Sequence, residues 1–150
     1  MTMCMMETLR FQSPATNNSS VFCKTDVKLG KYQFQKGDRL MILIDDLHYN
    51  PSEWREPHKF DPSRFDPSSE MSLTPSGKKR NPYSWVPFNG GARICFGKTF
   101  AEVNMKYLAT YMTQLFEAKL EAKYDDCYPM AIAGMTDTPP VYVTLTKRTA

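Results

Sequence analysis

Apolar residues recur at two interleaved spacings between Lys98 and Phe116. One line holds Phe100, Val103, Tyr107, Tyr111 and Leu115, and the next holds Ala101, Met105, Leu108, Met112 and Phe116. Steps of three and four place both lines on one side of an α-helix, which predicts a long helix with a broad apolar face. Its methionines and aromatics are expected in the core. Residues 3–11 read as the end of a second helix. Ser13-Pro14 stops it, because proline disfavours helical geometry in the residue before it. Thr16–Ser20 is polar and reads as loop. Val21–Thr25 and Tyr32–Gln35 read as a strand pair about the turn Leu29-Gly30-Lys31. Lys36-Gly37-Asp38 is a further turn, Arg39–Ile44 a strand and Asp45–Tyr49 a short helix. Asp66–Asn81 carries Pro67, Pro75, Gly77 and several serines, and is expected to be an exposed, mobile loop. Leu120–Tyr124 and Val141–Thr146 read as strands around a loop containing Gly134. No internal repeat occurs.

The segment Phe88-Asn89-Gly90-Gly91-Ala92-Arg93-Ile94-Cys95-Phe96-Gly97 stands directly before the long helix and reads F-x-x-G-x-R-x-C-x-G. A cysteine binds metal as the thiolate, which positive charge and aimed N–H groups favour. Cys95 precedes a helix N-terminus, where backbone N–H groups are unspent and the dipole is positive. Bonds from those groups would also tune an iron held by the sulfur. Gly90, Gly91 and Gly97 suit a backbone that turns sharply and lies flat against a macrocycle. Arg93 can offer paired donors to a carboxylate such as a haem propionate. Phe88 can shield the sulfur from oxidation. Together these residues suit a haem iron held by Cys95.

Three upstream segments add to this loop. Glu7-Thr8-Leu9-Arg10 is an E-x-x-R whose ends share a helix face. His48-Tyr49-Asn50-Pro51-Ser52-Glu53-Trp54 is an H-x-(D/N)-P-x-x-W run, with Asn50-Pro51 suited to a turn. Phe60-Asp61-Pro62-Ser63-Arg64-Phe65 contains P-x-R-F. Trp54 is expected to pack as a surface anchor. His48 and His58 read as structural, since nothing pairs them with Cys95 at zinc-like spacing.

In this order the four elements resemble the cytochrome P-450 family of haem-thiolate monooxygenases. The resemblance implies an α+β portion of a mainly helical fold. Its parts are the E-x-x-R helix, a small antiparallel sheet, a meander loop, the cysteine loop, a long helix beneath the haem and a C-terminal hairpin. It implies haem b (iron protoporphyrin IX) with Cys95 as the metal ligand and Phe88, Gly91, Arg93 and Gly97 around the cofactor. It also implies a buried structural triad of Glu7, Arg10 and Arg64. Residues near Met135–Thr138 fall where the family's hairpin tip meets substrate. Two departures stand out. Ser63 occupies a place that is usually acidic. The stretch Phe11–Cys23 lacks the arginine that often reaches a propionate, leaving Ser19 or Ser20 there.

Length and charge refine the picture. The 150 residues suit one domain and match only the C-terminal third of the family's fold. No (A/G)-G-x-(D/E)-T run, the oxygen-activating acid–alcohol pair of the family, occurs. Residues 1–150 are therefore expected to be a partial domain of a longer monooxygenase. That enzyme would use O2 and a redox partner on an apolar small molecule. The alternative is a non-catalytic truncated fragment or gene remnant, and a rearranging or dehydrating haem-thiolate enzyme would use the same loop. Net charge is +3, with a local cluster at Lys78, Lys79 and Arg80 joined by Lys98 and Lys106. On family grounds this basic face docks an electron-transfer flavoprotein or a ferredoxin-type donor. No nucleic-acid recognition motif accompanies it. Cys4, Cys23, Cys95 and Cys127 form no C-x-x-C, which argues against zinc-ribbon and thioredoxin-like readings. A reducing, cytoplasm-facing setting suits a free Cys95, and a membrane tether ahead of residue 1 stays open on family grounds.

Overall fold

The computed structural model describes residues 1–121, 130–132, 135–137 and 141–149. Helix α1 (Thr2–Phe11) closes where the Gln12 N–H donates to Thr8 O at 2.8 Å, just before Ser13-Pro14. It buries Glu7, Leu9 and Arg10. Four short strands follow: β1 (Val21–Phe22), β2 (Val27–Leu29), β3 (Tyr32–Phe34) and β4 (Arg39–Leu40). β1 pairs antiparallel with β4, and β2 with β3.

This pairing corrects the expected one. Tyr32–Phe34 pairs with Val27–Leu29, in the register Leu29↔Tyr32, rather than with Val21–Thr25. Gly30, at φ +60°, supplies the left-handed corner of a two-residue turn, and such a tight closure orders less chain than a wider loop would. Asp26 Oδ1, accepting from the Lys36 N–H at 2.8 Å, seals the base of the hairpin. Val21 and Phe22 are left to Leu40 and Arg39. The expected strand Arg39–Ile44 stops at Leu40, although Ile42 and Asn18 still exchange bonds. Asn18 N donates to Ile42 O at 3.0 Å, and Ile42 N to Asn18 Oδ1 at 2.7 Å. Ile44 then opens helix α2 (Ile44–His48).

The core lies between α1, α2 and the irregular stretch from Asn50 to Phe65. Trp54 is only 1% exposed, so it is a core residue and not a surface anchor. Its indole N–H donates to Leu47 O at 3.0 Å, and two guanidinium groups stand over its ring, Arg10 at 5.2 Å and Arg80 at 4.3 Å. Asp61 caps the 3-10 turn Pro62–Phe65, accepting from the Ser63 N–H at 3.0 Å and the Ser63 hydroxyl at 2.6 Å.

The span from Asp66 to Asn81, expected to be a mobile loop, is folded on itself. A 3-10 turn covers Glu70–Ser72, Leu73 bridges Lys79, and Thr74 is buried. Serine and threonine side chains capture the backbone here: Ser69 Oγ accepts from Met71 N and Thr74 Oγ1 from Lys78 N.

Helix α3 (Lys98–Leu115) forms as the spacing predicts, and runs straight into β5 (Phe116–Leu120). β6 (Met130–Ile132) pairs with β7 (Met135–Asp137), and β5 with β8 (Val143–Lys147). The late strand pair thus begins four residues before the expected Leu120, and residues 122–124, Gly134 and Thr138 lie outside the described residues. No α3 side chain is buried, contrary to the core role expected of its aromatics and methionines. Phe100 is 76% exposed and Tyr107 66%. Contact with α1 leaves Ala101, Met105 and Met112 half-buried, while Phe100, Val103, Tyr107, Leu108 and Tyr111 stay exposed.

Truncating Trp54 to Ala should lower stability by about 3–5 kcal/mol, whereas Phe22→Ala should change it by about 0.5 kcal/mol or less. Urea unfolding of the two variants checks the assignment of core and surface.

Candidate functional site

A buried carboxylate organises the scaffold under the cysteine loop. Glu7 Oε2 accepts from Arg10 Nε at 2.8 Å. Its Oε1 accepts from Arg10 Nη2 at 2.8 Å, from Arg64 Nε at 3.2 Å and from the Asp61 N–H at 2.9 Å. All three charged side chains are fully buried. One negative charge meets two positive ones, and main-chain carbonyls absorb the excess. Arg10 donates to His48 O at 2.9 Å, and Arg64 to Arg55 O and, at 2.8 Å, to Glu56 O. Both guanidinium groups reach Lys59 O.

Arg80 joins from outside the sequence motifs. It donates to Arg64 O and, at 2.7 Å, to Met71 O while its guanidinium covers Trp54. Arg80 therefore leaves the expected basic cluster, in which Lys78, Lys79 and Lys106 are exposed and Lys98 is half-buried. Nothing in the sequence around Arg80 distinguishes it from its lysine neighbours.

His48 links this cluster to the cysteine loop. Its carbonyl takes Arg10, and its Nε2 accepts from the Val86 N–H at 3.0 Å. The ring proton therefore sits on Nδ1, which has no partner among the described residues. Val86 O in turn receives the Asn89 N–H at 2.9 Å, and the Trp85 indole donates to Met6 O at 3.2 Å. The structural reading of His48 is met in a specific form: an imidazole that must stay neutral. Burial first, and then the Arg10 charge, lower its pKa from the ordinary 6.5 to about 4.

Beyond Val86 the chain forms the cysteine loop. Asn89 and Gly91 take left-handed geometry, φ +60° and +68°, and a 3-10 turn covers Gly91–Arg93. The Cys95 N–H donates back to Phe88 O at 2.9 Å, closing the loop on itself. Gly97 then caps α3, and Lys98 N donates to Cys95 O at 3.2 Å. The φ of Gly97 is ordinary, but a Cβ there would stand 3.7 Å from Cys95 Sγ. At Gly90 a Cβ would come within 3.2 Å of the Tyr83 ring. Glycine thus relieves crowding at position 90, whereas a Cβ at position 97 would make an ordinary contact with the sulfur. Cys95 is an exposed free thiol and Phe96 is wholly exposed. Phe88 is half-buried, and Arg93 is exposed with no partner among the described residues.

An open cavity of about 780 Å³ lies beside the loop. Asn89–Gly91 and Arg93 form one side, and Asn18–Val21 the other, with Ile42, Ile44, Leu47, Tyr83 and Val86 between. Phe88, Cys95 and Gly97 do not line it. Ser19 and Ser20 line the same cavity as Arg93. Met135 is exposed at the start of β7 and bridges Ala15, so this part of the hairpin reaches the same segment. Apolar walls, glycine-lined backbone and a guanidinium without a partner among the described residues suit a flat group that bears carboxylates, and Cys95 stands outside this lining at the start of the 18-residue helix.

The cytochrome P-450 family profile matches residues 1–145. The chain belongs to the cytochrome P-450 family. It is similar to cytochrome P-450 3A11 of Mus musculus, 38% identical over 114 residues, which is 76% of this chain and 21% of that protein. It is also similar to cytochrome P-450 4A2 of Rattus norvegicus, 39% identical over 116 residues, or 77% of this chain and 21% of that one. The chain thus spans about a fifth of the length of the curated relatives it matches. Among solved structures it resembles a retinoic acid-bound cyanobacterial CYP120A1, with a TM-score of 0.82 and 27% identity over 97% of this chain and 32% of that one. The cytochrome P-450DA heme domain gives a TM-score of 0.77 at 27% identity, over 99% of this chain and 31% of that one. Membership implies a haem cofactor, and the α+β expectation agrees with these neighbours.

Removing one member of the buried cluster should destabilise strongly, because it leaves uncompensated charge. Glu7→Gln and Arg64→Ala should each cost about 3–5 kcal/mol in urea unfolding, and Lys59→Glu, on an exposed side chain, about 0.5 kcal/mol or less.

His48 gives a pH signature. Its folded pKa lies below its unfolded one, so its contribution is complete above pH 6.5 and is lost as pH falls through about 4. The loss should approach about 3 kcal/mol, with a slope of about 1.4 kcal/mol per pH unit. Urea unfolding across that window should show this slope in the natural chain. His48→Gln, whose amide oxygen can still accept from Val86 N, should flatten it.

Proposed function

We propose that Cys95, as thiolate, is the proximal ligand of a haem b iron. The longer protein to which this chain corresponds would then be a monooxygenase acting on an apolar small molecule. The observation that carries this reading is the closed loop from Phe88 to Cys95, which delivers an exposed sulfur to the start of α3. When bound, the haem supplies activation of O2 for transfer of one oxygen atom. The chain's own residues position and protect. Arg93 would hold a propionate, Gly91 would let the macrocycle lie close, Gly97 would stand beside the sulfur, and Phe88 would shield it once the haem is bound. Glu7, Arg10 and Arg64 fix the platform from which the loop projects.

Electrons would come from a flavoprotein or ferredoxin-type donor. Lys78, Lys79, Lys98 and Lys106 supply the positive charge for its docking, with Arg80 committed to the core. The substrate would approach from the side of Ala15–Ser20 and Met135. The reading as part of a longer enzyme rests on the fraction of the relatives' length that the chain spans.

Reconstitution with haem tests ligation directly. The reduced, CO-bound form of the natural chain should show the absorption band of a thiolate-ligated haem. Cys95→Ala and Cys95→His should both lose it, whereas Cys4→Ala should keep it. A natural-type band surviving in both Cys95 variants would overturn the assignment.

A further inference from the structure

A second cavity, of about 600 Å³, backs onto the first across a shared wall of Asn18, Ser19 and Ser20. Its other lining includes Arg39, Met41 and Met135. Arg39 is the only charged side chain among its described lining residues. Its Nε donates to Ser20 Oγ at 2.8 Å, and that bond fixes the plane of the guanidinium. Both terminal nitrogens are without a hydrogen bond or ion pair among the described residues. No ion pair forms with the neighbouring acid among the described residues, and Asp38 Oδ2 accepts from the Gln35 N–H at 2.7 Å.

We infer that Arg39, oriented by Ser20, is a carboxylate-binding residue for a ligand whose apolar body rests against Met41 and Met135. A guanidinium held through Nε presents its remaining N–H groups as a fork, the geometry that a carboxylate matches with two parallel bonds. Thioether side chains accommodate a flexible hydrocarbon without fixing its shape. Two sources share this chemistry: an amphiphilic acid as substrate, or a haem propionate reaching past Ser19 and Ser20. Only the second depends on the haem reading given above. In either case Arg39, on a strand far along the chain, does for this wall what no basic residue of Phe11–Cys23 can do.

Titration calorimetry on the full 150-residue chain separates the sources. One arm compares decanoate with decan-1-ol in the absence of haem, and the other compares haem with haem dimethyl ester. If the substrate carboxylate is bound, Arg39→Gln should weaken decanoate about five- to tenfold and leave the alcohol unchanged. If the propionate is bound, the variant should weaken haem by a similar factor and leave the ester unchanged. Ser20→Ala, which keeps the charge but frees the guanidinium, should give the same pattern at smaller size. Arg39 is exposed, so neither change should shift the urea midpoint. The inference is overturned if acid and alcohol, and haem and ester, are affected alike. It is also overturned if the natural chain binds neither decanoate nor haem. Loss of the Cys95 reading alone leaves the decanoate arm standing, because that arm needs no iron.

Discussion

The fold depends on a carboxylate with no access to water, Glu7, placed between two equally buried guanidinium groups. Such a cluster is not a cheap source of stability, since apolar residues of the same volume often do as well. Its value is in what the surplus positive charge demands. Arg10 and Arg64 need acceptors beyond Glu7, and they take them from the backbone at His48, Arg55, Glu56 and Lys59. A stretch with almost no regular structure is thereby given a single path. The meander needs no strand ladder because a charge in its middle collects its carbonyls. The ring faces of Trp54 lie against Arg10 and Arg80, so they offset part of the remaining charge while filling the centre.

The same cluster reaches the cysteine loop in two bonds. Arg10 holds the His48 carbonyl, and the His48 ring holds the Val86 N–H. Phe88, two residues later, accepts the N–H of Cys95. This is a structural tether, and no bistable element along it suggests a signal. Its consequence is preorganisation: the turn that carries the sulfur starts from a fixed point, so less ordering remains when a ligand arrives. Burial of a neutral imidazole at that junction ties integrity of the loop to protonation, because the ring has no room or partner for a second proton.

Much of this was legible in the sequence where chemistry and spacing coincide. E-x-x-R and P-x-R-F lie 57 residues apart at Glu7 and Arg64, yet their charges meet. The cysteine loop was legible as a turn ahead of a helix, because its glycines cluster just before the apolar spacing of α3 begins. What was missed has a common physical cause. Trp54 looked peripheral because its run is polar, but two cations cover its faces and its indole N–H finds a carbonyl. The span 66–81 looked like free loop because serine, threonine and proline predominate. The serine and threonine side chains bond to nearby backbone and fold it. Arg80 looked like a surface charge among lysines, and only the carbonyls of Met71 and Arg64 distinguish it. The hairpin turn at Leu29-Gly30-Lys31 was legible, but its first strand is Val27–Leu29, directly against the left-handed glycine, and not Val21–Thr25.

Helix α3 was legible in its existence and misjudged in its burial, and the difference has a physical meaning. Phe100, Val103, Tyr107, Leu108 and Tyr111 share a stripe that the described residues leave open to solvent. An apolar stripe of that breadth would normally be driven under cover at roughly 25 cal/mol for each Å² removed from water. The helix keeps its geometry because hydrogen bonding along 18 residues is local and does not wait on the burial of its stripe. Cys95 therefore sits at a junction of unlike parts: behind it a core fixed by buried charge, ahead of it a helix with an unspent apolar face. A flat, largely apolar group bound at that junction would gain from both, with directional bonds on the fixed side and removal of surface from water beside it.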